Sequence, residues 1–330
     1  MDAARVDVSG PHPAVAETRA AVRRWLDAYA PDVPVVVACS GGADSLALTA
    51  AAVHEAPEVT AVVIDHQLQP TSAHTAAIAA EQAEALGCRL TRVLAVDVAG
   101  AGGLEAAARR ARYSALRVHG APVLLGHTLD DQAETVLLGL GRGSGSRSIA
   151  GMAPWDSPWG RPLLGVQRSV THAACAALGL TPHHDPHNDD PAFTRVRLRH
   201  EALPLLEDIL AGGVSFALAR TATQLREDGD ALDQWSLELG QHCLRGAELD
   251  VAALGAAPAA VRRRVLRRWL IAHGATALTD RQLRWADELV CAWRGQGGVS
   301  VGGQLVVLRR HGRLSTAVQQ VAKARSSRGV

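Results

Sequence analysis

The sequence has few cysteines, no long apolar run and a single lysine. Its five cysteines, an odd number, lie far apart with no CxxC pair, which argues against a disulfide framework or a structural zinc site. No apolar run approaches the roughly 20 residues of a membrane span, and the first residues lack the apolar stretch of a signal peptide. We therefore expect a cytoplasmic protein. Lys323 is the single lysine, compared with 33 arginines. We attribute this bias to the codon usage of the source and not to the mechanism of the protein.

The 330 residues carry a net charge of only +1, but this charge is unevenly distributed. Residues 251–330 hold 14 basic and 3 acidic side chains, a local charge of +11, so residues 1–250 carry −10. The arginines at 262–264, 267 and 268 form a patch that can neutralise several phosphates. The patch indicates a nucleic acid partner, and a solvated helix face is the alternative interpretation.

Apolar runs alternate with helix-periodic segments in the first part of the chain. They predict strands at residues 35–39, 59–64, 90–96 and 122–125, and helices at residues 46–54, 73–86 and 104–118. Strands that are apolar on both faces and separated by helices imply a parallel sheet with helices covering it. The predicted fold class is therefore α/β. Ligands of such folds bind at the carboxyl ends of the strands.

A glycine pair, Gly212-Gly213, marks the predicted boundary between two domains. We expect residues 1–212 to form the α/β domain and residues 213–330 to form a smaller, mostly helical and basic domain. A long helix is predicted at residues 214–244, followed by helices at 258–273 and 280–294. Residues 295–310 are then glycine-rich and predict a hairpin with strands at 299–301 and 305–308.

The segment SGGADS at residues 40–45 lies between the first predicted strand and the first predicted helix. Its two glycines allow a tight turn that points successive amide groups at an anion, and its two serines add donors. Asp44 would repel a bare phosphate, so it indicates a Mg²⁺-bound nucleotide. A glycine turn with Asp44 and Ser45 capping the helix is the alternative. The candidate nucleotide-binding residues are Ser40, Gly41, Gly42, Ala43, Asp44 and Ser45.

A second cluster of polar residues runs from residue 126 to residue 135, GHTLDDQAET. If a helix starts near Asp130, His127, Asp131 and Glu134 are spaced i, i+4 and i+7 and share one face. Carboxylates gathered there can hold a metal ion, bind an ammonium group or accept a proton from an amine. An acid-rich first turn that complements the helix dipole is the alternative.

Seven motifs follow one another along the chain. They are SGGADS at 40–45, DHQLQP at 65–70, EAAARRARY at 105–113, HTLDDQAET at 127–135 with RGSG and GM following, RPLL at 161–164, DPHN at 185–188 and RVRLR at 195–199. Together and in this order they resemble the tRNA(Ile)-lysidine synthetases, members of the PP-loop ATPase superfamily, over nearly all of residues 30–210. Val196 departs from the family pattern, which commonly has Asn there.

The resemblance implies a two-step ligation on the wobble cytidine, position 34, of an isoleucine tRNA with the anticodon CAU. ATP with Mg²⁺ would adenylate the C2 oxygen of the base, and the amine of free L-lysine would then displace AMP to form lysidine. This change would convert codon reading from AUG to AUA. The resemblance leaves the oligomeric state open, with a homodimer as one option.

The resemblance also implies roles for individual residues. Residues 1–212 would form the ATP-binding catalytic domain, and residues 213–330 would form a tRNA-binding domain. Residues 40–45 would hold the pyrophosphate end of ATP, with Asp44 directing Mg²⁺. Arg109 and Arg112, spaced i and i+3, would stabilise the departing pyrophosphate, although Arg109 could instead pair with Glu105 on a solvated surface. The remaining candidates would bind lysine, take the amine proton or meet a carboxylate or phosphate, and they are His127, Asp131, Glu134 and Arg195.

Two other functions stay open at this point. A PP-loop tRNA thiolase would also activate a base with ATP, but such enzymes need a sulfur-carrying cysteine or a CxxC cluster, and Cys39 alone lies beside a motif. A nucleotide-gated RNA-binding protein without catalysis would not require Asp44, Asp131 and Glu134 together. Exchange between ATP and pyrophosphate would separate this second alternative from an enzyme.

Overall fold

A computed structural model describes residues 10–99, 103–117, 120–143, 145–185 and 188–318 of the chain. Of the residues singled out above, Ser144, Pro186 and His187 lie outside these ranges, and the side chain of Glu105 is not described either. The chain divides into two compact units, Met1–Arg226 and Glu227–Val330. The division falls within one long helix, and the predicted domain boundary at residues 212 and 213 stays a prediction.

The first unit contains a six-stranded sheet with the order β3-β2-β1-β4-β6-β5. Strands β1 to β4 and β6 are parallel, and β5 pairs antiparallel with β6 at one edge. The central strand β1 is almost wholly buried because its valines pack on both faces. The strands are β1 (Val35–Ala38), β2 (Val59–Asp65), β3 (Leu90–Ala95), β4 (Val123–Leu124), β5 (Trp155–Asp156) and β6 (Trp159–Gly160).

The strand order reverses between β1 and β4, since β2 and β3 lie on one side of β1 and β4 lies on the other. At such a switch point the loops after the two strands diverge and leave a crevice at their carboxyl ends. Residues 39–42 follow β1 and residues 125–128 follow β4. The topology therefore brings both polar motifs to the same crevice.

Helices cover the sheet and continue beyond it. Helix α2 begins at Ala43, three residues earlier than the apolar pattern predicts, so Asp44 and Ser45 lie in its first turn. A π-helical turn, Leu198–Ala202, joins α8 to α9. The helices of this region are α1 (Pro13–Tyr29), α2 (Ala43–Glu55), α3 (Ser72–Ala85), α4 (Leu104–Arg117), α5 (Leu129–Gly141), α6 (Ser146–Ile149), α7 (Arg168–Ala177), α8 (Thr194–Arg197), α9 (Leu203–Ile209) and α10 (Val214–Cys243).

The second unit packs three helices against a five-stranded antiparallel sheet of order β7-β8-β11-β10-β9. Its core holds Leu266, Leu270, Leu289 and Leu314, all fully buried. Its elements are β7 (Leu244–Arg245), β8 (Glu248–Asp250), α11 (Val251–Gly255), α12 (Ala259–Ala272), α13 (Asp280–Cys291), β9 (Val299–Val301), β10 (Leu305–Arg310) and β11 (Arg313–Val318).

The predicted fold class is confirmed, with a parallel sheet in the first unit and a smaller, largely helical second unit. The predicted C-terminal hairpin is part of a larger sheet, because β11 pairs along all of β10 and continues the sheet to β8. Among the described residues, no single helix has the length and hydropathy of a membrane span. The helical segments Thr194–Ile209 and Val214–Cys243, which are separated by a sharp bend, meet this criterion only when they are counted together.

Candidate functional site

The loop after β1 has the geometry of a phosphate-binding loop. Gly41 has a φ of +80°, and a Cβ there would lie 3.0 Å from the Cβ of Ala79, so glycine is required. The Oγ of Ser45 accepts a hydrogen bond from the amide of Ser40 at 3.1 Å and donates one to the carbonyl of Gly42 at 2.9 Å. Gly42 is the N-cap of α2 and offers no side chain to the first amides of the helix. These amides are therefore available to an anion.

A cleft of about 380 Å³ opens beside this loop. It is bounded by the carboxyl end of β2, by α3 and by His183, Asp185 and Asn188. The His183 amide donates to the carbonyl of Gly41 at 2.8 Å. Its volume falls within the range of small-molecule pockets. The polar residues that line it include Ser40, Gly42, Asp65, His66, Arg112 and Asn188.

Arg112 and Arg109, both predicted to act on the nucleotide, have different surroundings. Arg112 lines the cleft, and its Nε is buried without a hydrogen-bond partner among the described residues. Burial lowers the pKa of Arg112, with Arg109 adding to the effect. Arg109 is exposed, stacks 4.8 Å from the ring centre of Tyr113 and donates to its hydroxyl at 3.1 Å. Arg112 thus offers an open donor to a ligand, whereas Arg109 lies outside the residues that line the cleft.

A cluster of carboxylates lies at the start of α5, after β4. Asp131 Oδ2 accepts hydrogen bonds from the amide and hydroxyl of Thr128, at 2.9 and 3.0 Å, which fixes its side chain against the helix end. Glu134, one turn later, is fully buried. The predicted spacing therefore does bring Asp131 and Glu134 together at the first turn.

Arg168, at the start of α7, joins these carboxylates to the phosphate loop. Its guanidinium lies 2.6 Å from Asp131 Oδ1, 3.4 Å from Asp44 Oδ2 and 3.7 Å from Glu134 Oε1. Burial alone lowers the pKa of Arg168, but these three carboxylates raise it above its usual range. Burial likewise opposes ionisation of Asp131, yet Arg168 and the Thr128 amide keep the pKa of Asp131 below its ordinary value. Arg168 and Asp131 are therefore both charged at neutral pH.

Asp44 faces this cluster as well as the phosphate loop. Its carboxylate accepts a short hydrogen bond from the hydroxyl of Thr171. Burial raises the pKa of Asp44, while Thr171 and Arg168 oppose that rise. No group of three or more metal-ligating side chains occurs in the described part of the chain. A single carboxylate beside a phosphate loop nevertheless fits Mg²⁺, because this ion takes one or two carboxylates together with substrate phosphates and waters.

Two arginines from the segment at residues 194–202 complete the cluster. Arg199 Nε donates to Glu134 Oε1 at 2.8 Å, and Arg195 Nη1 lies 3.6 Å from Glu134 Oε2. Arg195 and Arg199 therefore both face Glu134. Glu134 Oε2 is buried and has no hydrogen-bond partner among the described residues. One carboxylate oxygen thus remains open to a donor from a ligand. Val196, between these arginines, is buried.

His127 precedes the cluster and is neutral. Burial lowers the pKa of His127 to about 3, and the nearby Arg161, Arg112 and Arg109 add to the effect although Asp131 opposes it. Its Nδ1 is buried without a hydrogen-bond partner among the described residues. The preceding Gly126 brings β4 against the phosphate loop, since a Cβ there would lie 3.1 Å from backbone atoms of Asp44 and Ser45.

Sequence reasoning missed Arg168 and Thr171, and it assigned no role to Arg199. Arg168 lies seven residues after Arg161, the start of the RPLL motif, in a stretch with no charge pattern of its own. Only the fold shows that α7 returns to the start of α2, where the two helices pack together. A polar residue at the start of a helix that follows a recognised motif is the one local signal that could have pointed to Arg168.

Comparisons with known proteins give a consistent result. Residues 17–206 match a family described as the PP-loop domain, and residues 249–315 match the TilS substrate binding domain. The chain is 64% identical over 309 residues to the tRNA(Ile)-lysidine synthase of Rhodococcus erythropolis, covering 92% of this chain and 95% of that one. It is 60% identical over 316 residues to the enzyme of the same name from Nocardia farcinica, covering 93% and 99%.

Among solved structures, the chain is similar to the U34-tRNA thiolase NcsA from Methanococcus maripaludis, which was solved with its [4Fe-4S] cluster. The TM-score is 0.55 at 18% identity, over 65% of this chain and 80% of that one. At this identity the similarity concerns the fold alone.

Proposed function

Because the chain belongs to the tRNA(Ile)-lysidine synthase family, we propose that it ligates free L-lysine to C2 of the cytidine at position 34 of a tRNA(Ile) with the anticodon CAU. The chain is a ligase-type enzyme with a PP-loop ATP-binding domain. The proposed reaction consumes ATP, releases AMP and pyrophosphate, and passes through an RNA adenylated on the C2 oxygen. The observation that carries the proposal is an open cleft beside the phosphate loop, together with a carboxylate cluster that Arg168 joins to Asp44 after that loop.

The cleft beside the phosphate loop is the proposed ATP site. The open amides at the start of α2 and the hydroxyl of Ser40 would hold the phosphates. Asp44 would hold Mg²⁺, which supplies positive charge to the phosphate oxygens. When the base oxygen attacks the α-phosphorus, negative charge grows on the departing pyrophosphate. The unpartnered Nε of Arg112 is suited to stabilise that charge because it is already buried and fixed.

The carboxylate cluster is the proposed lysine site. An ammonium group needs acceptors, and Glu134 Oε2 is a buried carboxylate oxygen without a hydrogen-bond partner among the described residues. Asp131 is held ionised by Arg168 and adds a second negative charge. Arg195 is only partly buried and could meet the carboxylate of lysine or a phosphate of the intermediate.

The second step needs an uncharged amine, and lysine is protonated at neutral pH. We propose that Glu134 takes this proton as the amine attacks C2 and AMP leaves with the C2 oxygen. With a pKa of about 3, the ring of His127 carries no charge at neutral pH. We assign it the part of a neutral hydrogen-bonding group beside Asp131.

Sulfur transfer, the competing reaction, is not supported by the cysteines. A sulfur carrier must form a thiolate, which requires an accessible thiol of low pKa. Cys39 is buried, and burial raises its pKa. Cys175 is also buried, its thiol donates to the carbonyl of Ala43, and its pKa is raised to about 11. Both cysteines near the phosphate loop therefore have the properties of packing residues.

ATP-dependent incorporation of labelled lysine into a transcript of the CAU-anticodon tRNA(Ile) tests the proposal. A methionine tRNA with the same anticodon is the matched substrate control. Incorporation into the first transcript alone is the expected result, and it requires that bases outside the anticodon discriminate the two. RNA-dependent AMP release without lysine incorporation would contradict the proposal and indicate another nucleophile. Absence of both ATP–pyrophosphate exchange and AMP release would indicate binding without catalysis.

A further inference from the structure

A second cavity in the first unit, of about 540 Å³, is not used by the reaction described above. We call it the arginine cavity. It lies between α1, the segment at residues 161–166 and the first turns of α10. Among the described residues, its lining includes four arginines and no acidic side chain. A cavity with this charge excludes lysine and attracts anions. The arginines are Arg24, Arg161, Arg220 and Arg226.

Two of the four arginines donate hydrogen bonds to backbone carbonyls of the cavity wall, and the other two have side chains that a ligand can reach. Arg226 donates to the carbonyls of Ala150 and Met152 at 2.7 and 2.8 Å, and Arg161 donates to the carbonyl of Ala153 at 2.9 Å. Arg161 is 7% exposed, and its Nε has no hydrogen-bond partner among the described residues. Arg24 and Arg220 are exposed and make neither a hydrogen bond nor an ion pair within the described part of the chain.

Three aromatic side chains also line the arginine cavity. Phe216 is 49% exposed and Tyr29 is 43% exposed, although large aromatic rings are usually buried. Trp25 closes the floor, with its indole nitrogen donating to the carbonyl of Pro154 at 2.9 Å. Exposed rings beside free arginines are the combination that binds single-stranded nucleic acid, with bases on the rings and phosphates on the cations.

Helix α5 links this cavity to the reaction. Leu129 and Gln132 of α5 line the arginine cavity, while Asp131 and Glu134 of the same helix form the carboxylate cluster. At 100° per residue these two pairs lie on opposite faces of the helix. The arginine cavity is therefore about one helix diameter, roughly 10 Å, from the proposed lysine site.

We propose that the arginine cavity binds an unstacked nucleotide of the substrate RNA close to the cytidine that is modified, with its phosphate on Arg24 and Arg220 and its base against Phe216. The inference rests on the proposed function, because it takes the RNA of that reaction as the ligand. Holding a neighbouring nucleotide here would keep the target base out of the stack and directed at the cleft.

The features of the cavity favour an RNA chain over a free nucleoside triphosphate. A triphosphate calls for a glycine-rich loop or a free helix N-terminus and a carboxylate for its metal ion. The amides of Val214 and Ser215, at the start of α10, are already bonded to the carboxylate of Glu207 at 3.0 Å. No acidic residue in the described part of the chain lines the arginine cavity. Singly charged phosphodiesters match its two available arginines better.

Binding of a hairpin RNA with the CAU anticodon stem and loop, followed by fluorescence anisotropy, tests the inference. The variant is R24Q/R220Q, and the matched control is R23Q/R89Q, which removes two exposed arginines of the same unit that pair with Glu55 and Glu58. Loss of two phosphate contacts predicts a Kd about tenfold higher and a salt slope lower by about 1.4. The control should stay within about twofold of the wild type, and ATP binding should be unchanged in both.

A second pair of variants tests the stacking surface. Phe216→Ala removes an exposed ring and should raise the Kd for the hairpin at least about fivefold, whereas Phe216→Trp should retain binding because it keeps a ring. Equal effects of the two substitutions would overturn the stacking role.

The outcomes separate the inference from the proposed function. If the wild type ligates lysine and R24Q/R220Q binds the hairpin as well as R23Q/R89Q does, the inference is wrong and the function stands. If the wild type neither binds the hairpin nor ligates lysine, both are wrong. If the wild type binds two AMP molecules and R24Q/R220Q binds one, with the RNA affinity unchanged, the cavity is a free-nucleotide site and the inference is overturned.

Discussion

Arg168→Gln is the substitution that most directly tests how the candidate site is held together. The guanidinium of Arg168 lies 2.6 Å from Asp131, 3.4 Å from Asp44 and 3.7 Å from Glu134, and its side chain is 18% exposed. Removing one partner of a buried ion pair costs about 3–5 kcal/mol, since the remaining charge is left unpaired. Because Arg199 still pairs with Glu134 and Asp131, we expect the lower end, about 3 kcal/mol at neutral pH.

The loss of folding stability in Arg168→Gln should be larger at neutral pH than at acidic pH. In the wild type the pKa of Asp131 is lower in the folded than in the unfolded chain. Its ionisation therefore stabilises the fold above the unfolded pKa, near 3.9, and this contribution disappears as the pH falls through the folded pKa. Without Arg168 the clustered carboxylates repel one another and take up protons at higher pH. The deficit of Arg168→Gln should thus be full at about pH 7.5 and clearly smaller at about pH 4.5.

Urea unfolding of the wild type and variants at both pH values measures this deficit. Arg168→Lys keeps the charge and should recover part of the stability. Arg197→Gln is the matched control, because Arg197 is an exposed arginine paired with Glu201, and it should change stability by less than about 1 kcal/mol. A deficit that is the same at both pH values, or one no larger than that of Arg197→Gln, would refute the electrostatic account of the cluster.

Three further predictions concern other parts of the chain. Gly126→Ala places a methyl group 3.1 Å from the backbone of the phosphate loop and should raise the Kd for ATP about tenfold in a calorimetric titration, whereas Gly141→Ala, with open space around it, should not. The pKa of His127 is about 3 in the folded chain, below its unfolded value. The wild type should therefore lose stability as the pH falls from about 6.5 towards 3. His127→Asn should lose less stability over this range in the same urea series. Asp287→Asn should lower the free energy of unfolding of the second unit by about 3 kcal/mol or more, because buried Arg262 and its neighbour Arg263 both pair with Asp287. Asp280→Asn, at an exposed carboxylate, is its control. Equal melting temperatures for the two variants would count against a stabilising role of the buried pair.

The fold of the first unit was largely predictable because its strands are short apolar runs bounded by helices. The four predicted strands all exist, with ends that differ by at most one residue. The pair β5 and β6 escaped prediction, since two-residue strands carry no periodic signal. In the second unit, strands β7, β8 and β11 were not predicted for a related reason. Their side chains are buried only where these strands pair within the sheet.

The candidate site was predictable only where sequence spacing places residues on one element. Asp131 and Glu134 lie one turn apart on α5, so their proximity followed from the helix period. Arg168 and Thr171 belong to α7 and reach Asp44 across more than 120 residues of chain. Such a contact depends on how α1, α2 and α7 pack, which no local pattern encodes. The exposed position of Arg109, in contrast to Arg112, likewise follows from its stacking on Tyr113.

The most direct test of the central claim separates the two steps in a Glu134→Gln variant. The claim is that the cleft acts on ATP and that the carboxylate cluster acts on lysine. With ATP and the CAU-anticodon tRNA(Ile), Glu134→Gln should release pyrophosphate at nearly the wild-type rate but incorporate labelled lysine about 10²-fold more slowly, the smaller end of the range for a lost proton acceptor. A parallel fall of pyrophosphate release and lysine incorporation, or an unchanged rate of incorporation, would contradict the account.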